Sequence, residues 1–218
     1  MRKIFCAVIM ALMILPNICG ASKLQTWEIN GEYHAVYPSV DPETDASEIP
    51  IYNKIGDKIN EVMKDFWNSV SVTGGFIKSN LNYEITCDKN NILSMVFTVK
   101  MMFTDKPFFY EKDAAGNVIP FMYKQTLNFD MRTGDVIEPD NLKNISAKYN
   151  FTPQDIIKKV TTFAKKNNIE LNADFENLNI IPQRYYIDEN LHVHFIFAGY
   201  ELSTKLKYYD FIDIDATI

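Results

Sequence analysis

Two histidines two residues apart, His192 and His194, stand beside Asp188 and Glu189, and Asp213 and Asp215 repeat that spacing near the end of the chain. Imidazole nitrogens and carboxylate oxygens are ligands for divalent metals, and a carboxylate pair can also perform acid–base hydrolysis. A spacing of two on a β-strand puts both side chains on one face. Alternation also accounts for these residues without any chemistry. Leu191, Val193, Phe195 and Phe197 alternate with the histidines, and Ile212, Ile214 and Ala216 alternate with Phe211, Asp213 and Asp215. One face of each strand is then set to pack on a core while the other meets water. A metal needs third and fourth ligands that no spacing here fixes, so the expectation is a polar sheet face, with no metal and no cofactor.

Other catalytic signatures are missing from the sequence. It contains no Gly-x-Ser-x-Gly elbow, no phosphate-cradling glycine loop and no His-Glu-x-x-His helix. The three cysteines are Cys6, Cys19 and Cys87. Cys87 shares the alternating pattern of Leu81, Tyr83 and Ile85, which predicts a buried, unreactive thiol on that strand face.

The first residues have the pattern of an export signal. Arg2 and Lys3 precede an uncharged run from Ile4 to Leu15, and Cys19-Gly20-Ala21 supplies small residues before a cut. The apolar run is too short to span a bilayer as a helix, and residues 1–21 are expected to be removed between Ala21 and Ser22. That removal takes away two positive charges and no acid, moving the formal charge from −6 to −8 and leaving Cys87 as the mature chain's one cysteine. An internal disulfide is thereby excluded. Nucleic acid is an unsuitable partner for so acidic a chain, because binding it depends on clustered Lys and Arg to neutralise phosphates. The mature chain is not expected to span a membrane.

Several elements must position the candidate residues. Asn30-Gly31 between Trp27-Glu28-Ile29 and Glu32 to Tyr37 predicts an opening β-hairpin. Ile51, Ile55, Ile59, Val62, Met63, Phe66, Trp67 and Val70 then recur at helical steps, with Pro50 suited to the first turn and Gly74-Gly75 beyond the end. The stripe predicts a helix lying on a sheet. Strands are expected over Leu81 to Cys87, Ile92 to Phe103 and Phe121 to Asp130, the last closed by a turn at Arg132-Thr133-Gly134-Asp135. Glu138 to Asn150 is polar with a short helical turn. A second helix follows, capped by Thr152 with Pro153 and Asp155 in its first turn and carrying Ile156, Ile157, Val160, Phe163 and Ala164 inward. The expected fold class is α+β, built mostly on antiparallel sheet with two main amphipathic helices.

The order of these pieces resembles a family of extracytoplasmic bacterial domains of the PdaC-like and RsiV-like type, paired as two adjoining domains of unknown function. The residues that carry the resemblance are Val36-Tyr37-Pro38, Ile59-Asn60, Asn91-Ile92-Leu93-Ser94 and Asn128 to Gly134 leading to Asn141-Leu142. In the tail they are Tyr186, the strand end Phe195 to Tyr200 with Glu201-Leu202, and Phe211 to Ile214. A glycine-glycine-alanine-histidine stretch common in the family is replaced here by Phe108-Phe109-Tyr110 and Asp113 to Gly116, so no role of that histidine carries over. After the signal peptide expected over 1–21, the resemblance implies a PdaC-like subdomain over 22–140 and an RsiV-like subdomain over 141–218. It also implies the role of such domains in lysozyme-binding anti-sigma factors and secreted peptidoglycan deacetylases, where the domain itself is not the catalyst. The expectation is an exported, periplasmic or secreted, non-enzymatic binding module of the cell envelope whose partner is a lysozyme-like protein or a peptidoglycan fragment. The alternative class is a secreted hydrolase or metal-dependent enzyme centred on His192 and His194. An exposed aromatic group among Phe108-Phe109-Tyr110, Tyr185-Tyr186 and Tyr208-Tyr209 would supply a natural contact surface.

Overall fold

Alternating strands and one long amphipathic helix leave little choice but to stack, and they do so in the computed structural model, which describes residues 23–30, 33–41, 45–72, 76–103, 112, 114–116, 118–207 and 209–217. The expected leader with its cut at Ala21-Ser22, Gly31 of the hairpin turn, Gly74-Gly75, Phe108-Phe109-Tyr110 and Tyr208 lie outside the described residues, as does the Val70 side chain. Strands β1 (Leu24–Ile29) and β2 (Tyr33–Val40) form the expected antiparallel hairpin, with Trp27 opposite Tyr37. The next strand, β3 (Phe76–Lys89), runs parallel to β2. A parallel pair requires a long crossover, and the 24-residue helix α1 (Ile49–Val72) supplies it. Antiparallel neighbours β4 (Ile92–Phe103), β5 (Phe121–Asp130) and β6 (Asp135–Val136) complete a six-stranded sheet in sequence order.

The stripe of α1 lies on this sheet as its periodicity predicts. Ile55, Ile59, Val62, Met63 and Phe66 are buried with Leu81, Leu93, Met95, Phe97, Val99 and Phe129 in one apolar cluster. Burial of each such side chain stabilises the fold by about 1.5–3 kcal/mol. The β3–β4 turn consists of Asn90 and Asn91, both at positive φ (54° and 60°), the backbone demanded by a two-residue hairpin loop and tolerated by asparagine.

The strand pattern misplaces Cys87. The register steps from Ile85 opposite Met95 to Cys87 opposite Ser94, so a bulge at Thr86 turns Cys87 to the other face of the sheet. The thiol is buried, but in a second apolar cluster rather than on the Leu81 and Tyr83 face. Strict alternation has no means of registering one extra residue.

That second cluster lies beneath the remainder of the chain. The polar stretch after β6 contains a 3-10 turn at Pro139–Asn141, helix α2 (Leu142–Ile145) and a 3-10 turn at Ala147–Tyr149. Helix α3 (Pro153–Lys166) starts at the expected cap: Asp155 N donates to Thr152 Oγ1 at 3.2 Å, and Thr152 N donates to Asp155 Oδ2 at 2.9 Å. Strands β7 (Tyr185–Ile187), β8 (Val193–Ala198) and β9 (Phe211–Asp215) form a three-stranded antiparallel sheet, with helix α4 (Gly199–Leu202) between the last two. Ile156 and Val160 of α3 and the apolar faces of β8 and β9 share the second cluster with Cys87, Ile92 and Ile137. Leu191, expected within a strand, instead takes φ 61° in the turn before β8. The architecture is α+β on mainly antiparallel sheet. Among the described residues no helix is long and apolar enough to cross a membrane.

Candidate functional site

The outer edge of β7 meets the face of the large sheet through side chains rather than through a strand ladder. Tyr185 N donates to Thr126 Oγ1 at 3.3 Å and Ile187 N donates to Ser94 Oγ at 2.9 Å. Asn128 completes the seam: its Nδ2 donates to the Tyr185 carbonyl at 2.8 Å and its Oδ1 accepts from Ser94 Oγ at 2.6 Å. These partners satisfy backbone groups that an unpaired edge would bury bare. Tyr185 is buried and its hydroxyl donates to the Ile137 carbonyl, and burial raises the hydroxyl pKa well above the ordinary tyrosine value. Of the expected aromatic surface, Tyr185 is therefore core.

Beside this seam lies an open cleft of about 400 Å³ whose walls include Glu84, Lys124, Tyr186, Asp188, Glu189 and Asp213. Both sheets contribute: Glu84 and Lys124 from β3 and β5, Tyr186 and Asp213 from β7 and β9, Asp188 and Glu189 from the β7–β8 turn. Four acids and one lysine give it a negative character. Lys124 also lies over the Phe211 ring, with Nζ 5.3 Å from the ring centre.

The residues singled out by spacing converge next to this cleft. His192 Nδ1 lies 2.9 Å from Asp215 Oδ2, and His194 Nδ1 lies 2.8 Å from Asp213 Oδ1. His194 Nε2 is 3.4 Å from Asp188 Oδ2. One ring nitrogen from each histidine and one carboxylate oxygen of Asp188 lie within 4.8 Å of one another. Glu189 lines the cleft and is no member of this group. The β7–β8 turn explains the placement of Asp188, whose Oδ1 accepts from Asn190 N and His192 N, both at 2.8 Å. An aspartate that ties its own following backbone into a turn leaves its second oxygen to point outward.

Tyr186 was not visible as a site residue from spacing alone. It sits opposite His194 in the β7–β8 register, stacks on that ring at 4.7 Å with planes 9° apart, and donates its hydroxyl to Asp213 Oδ2 at 2.6 Å. Burial and the facing Asp213 raise the Tyr186 hydroxyl pKa strongly, so it stays protonated. Burial works against a charged His194, but Asp213, Asp215 and Asp188 outweigh it and raise the imidazole pKa. Burial likewise opposes ionised Asp213 and Asp188. Bonds from His194 and Tyr186 lower the pKa of Asp213, and backbone N–H groups of His192 and Asn190, together with His194, lower that of Asp188. The cluster is a set of carboxylates organised around two imidazoles, and it can hold a cation.

No family model matches the sequence. No curated protein matches it either. Among solved structures, the chain is similar to a DUF3298 family protein from Pseudomonas aeruginosa PAO1, with a TM-score of 0.53 and 10% identity over 90% of each chain. A member of the same family from Bacteroides fragilis gives a TM-score of 0.48 and 8% identity over 90% of each chain. At these identities the likeness is one of fold, and the chain has the fold seen in the DUF3298 protein of Pseudomonas aeruginosa, a bacterial domain of unknown function.

Proposed function

We propose that the chain is an exported, non-enzymatic binding module of the cell envelope, of the PdaC-like and RsiV-like type, whose ligand is a basic protein of the lysozyme kind. The observation that carries this reading is the acidic cleft at the seam of the two sheets, where Glu84, Asp188, Glu189 and Asp213 surround a single lysine, Lys124. A chain with formal charge −6 and a concave acidic surface attracts a cationic partner over several ångströms and selects against anionic ones. The opening sequence supports export, and Ser22 is the expected first residue of the secreted form. Peptidoglycan fragments are the second envelope ligand, bound through hydrogen bonds from the same polar walls.

A thermal-shift screen of the secreted chain against lysozyme and muropeptides, with a turnover assay on peptidoglycan run alongside, tests the proposal. A saturable stabilisation by lysozyme without turnover is the expected result. No response to either ligand would overturn it. Turnover that disappears in a His192→Gln/His194→Gln chain would replace it with the enzyme reading. Mass spectrometry of the secreted chain checks its address, the expected amino terminus being Ser22.

A further inference from the structure

His194 lies on β8 and His192 immediately before it, and the spacing of two does not account for what holds their rings. Each presents Nδ1 to a carboxylate oxygen, His192 to Asp215 at 2.9 Å and His194 to Asp213 at 2.8 Å. A neutral imidazole that donates from Nδ1 keeps its lone pair on Nε2. An ion that displaces the Nε2 proton therefore meets two neighbouring rings whose Nδ1 atoms are already held by carboxylates, the arrangement that orients metal-bound histidines. A third ligand is already placed. Asp188 Oδ1 is occupied by two backbone N–H groups, and Oδ2 lies 3.4 Å from His194 Nε2. Atoms bound tetrahedrally to zinc at about 2.0–2.1 Å are about 3.3–3.4 Å apart, so this pair stands at ligand separation. The third atom, from the His192 ring, is within 4.8 Å of both.

We propose that His192, His194 and Asp188 form a binding site for one divalent transition-metal ion of the zinc class, with a fourth position open to solvent. Two imidazoles and one carboxylate favour zinc, nickel or copper over calcium and magnesium, which take oxygen ligands in larger number. Asp213 and Asp215, behind the rings, add negative charge that offsets that of the cation. Asp188 belongs both to this group and to the cleft wall, so a bound ion would border the cleft. The proposal does not depend on the identity of the cleft's partner.

Calorimetric titration of the secreted chain with zinc chloride, and cobalt(II) chloride as a spectroscopic probe, tests it. The expected result is one saturable site per chain, with visible cobalt bands typical of four-coordination. His192→Gln, His194→Gln and Asp188→Asn should each abolish saturable uptake. Asp215→Ala, which removes the His192 ring partner and no ligand, should weaken it about 10–100-fold. His34→Gln, at the histidine paired with Glu28 on the opening hairpin, should leave it unchanged. Unfolding midpoints of the metal-free variants identify any that fail to fold, and Asp188→Asn keeps the side-chain shape of the turn should the histidine variants do so. Absence of saturable uptake by the wild-type chain, or uptake that survives all three ligand substitutions, overturns the proposal.

Discussion

Asn128 links the two sheets from a buried position. It is 2% exposed and joins Ser94 on β4 to the carbonyl of Tyr185 on β7. Asn128→Ala takes the Nδ2 donor from the Tyr185 carbonyl and the acceptor from the Ser94 hydroxyl proton, at about 1–3 kcal/mol for each buried group left unsatisfied. Urea unfolding should show that loss as a lower midpoint, and a change within about 0.5 kcal/mol would contradict the role assigned to it. Cys87 gives a second test at this scale. Burial raises its thiol pKa, so a thiol reagent should leave the native chain unmodified and react fully once denaturant is added. Spacing showed where His192, His194, Asp213 and Asp215 lie, because a period of two is a local property. The partners that give them chemical meaning were out of its reach. Tyr186 meets His194 through the register of β7 on β8, and Asp188 is held by bonds to its own loop, neither of which is periodic. Cys87 changed faces for a related reason, since the Thr86 bulge depends on the pairing partner.

Elements were more legible than residues wherever a local signal sufficed to start or stop them. The α3 cap is one such signal, and Thr152→Ala should destabilise the chain by about 1 kcal/mol, read from denaturant unfolding. Side-chain and backbone bonds from Thr152 hold the Asp155 carboxyl below its ordinary pKa. A carboxyl depressed in the folded state contributes stability above its unfolded value, near 3.9, and loses that contribution as pH falls through the folded value. The gap between wild type and Thr152→Ala should therefore be full at neutral pH and narrow below about pH 4. A gap independent of pH would mean that the carboxylate plays no part in the cap. The turn after β5 is a stricter case. Gly134 has φ 74°, and a Cβ there would lie 2.6 Å from the Ile51 carbonyl oxygen in the first turn of α1. Gly134→Ala should cost at least about 1–3 kcal/mol for the backbone alone. Its glycine was visible as a turn residue, but its close approach to α1 was not, because that contact spans most of the first sheet's sequence. The parallel pairing of β2 with β3 escaped for the same reason: it is non-local, and nothing in either strand's alternation distinguishes a parallel neighbour.

At the scale of the molecule, two apolar clusters lie under two sheets, and polar side chains rather than a continuous ladder join the sheets along β7. The same junction forms one wall system for the cleft, so fold and proposed function meet there. Composition and charge mark the chain as acidic, but they carry no information about where the acids gather. That information resides in the docking of the β7–β8 hairpin against β3 and β5, which brings Glu84, Lys124, Asp188 and Glu189 together from distant parts of the sequence. Glu84 and Glu189 are exposed at this site, so reversing their charge alters the field of the cleft while leaving the apolar clusters and the ring partners of the histidines in place. The most direct test is a calorimetric titration of residues 22–218 with lysozyme, alongside the same residues carrying Glu84→Lys/Glu189→Lys, each at low and at physiological salt. A saturable wild-type isotherm that weakens with salt, and is lost or weakened at least tenfold in the charge-reversed chain, is the predicted result. Identical isotherms for the two chains, or no heat of binding for either, would contradict the account.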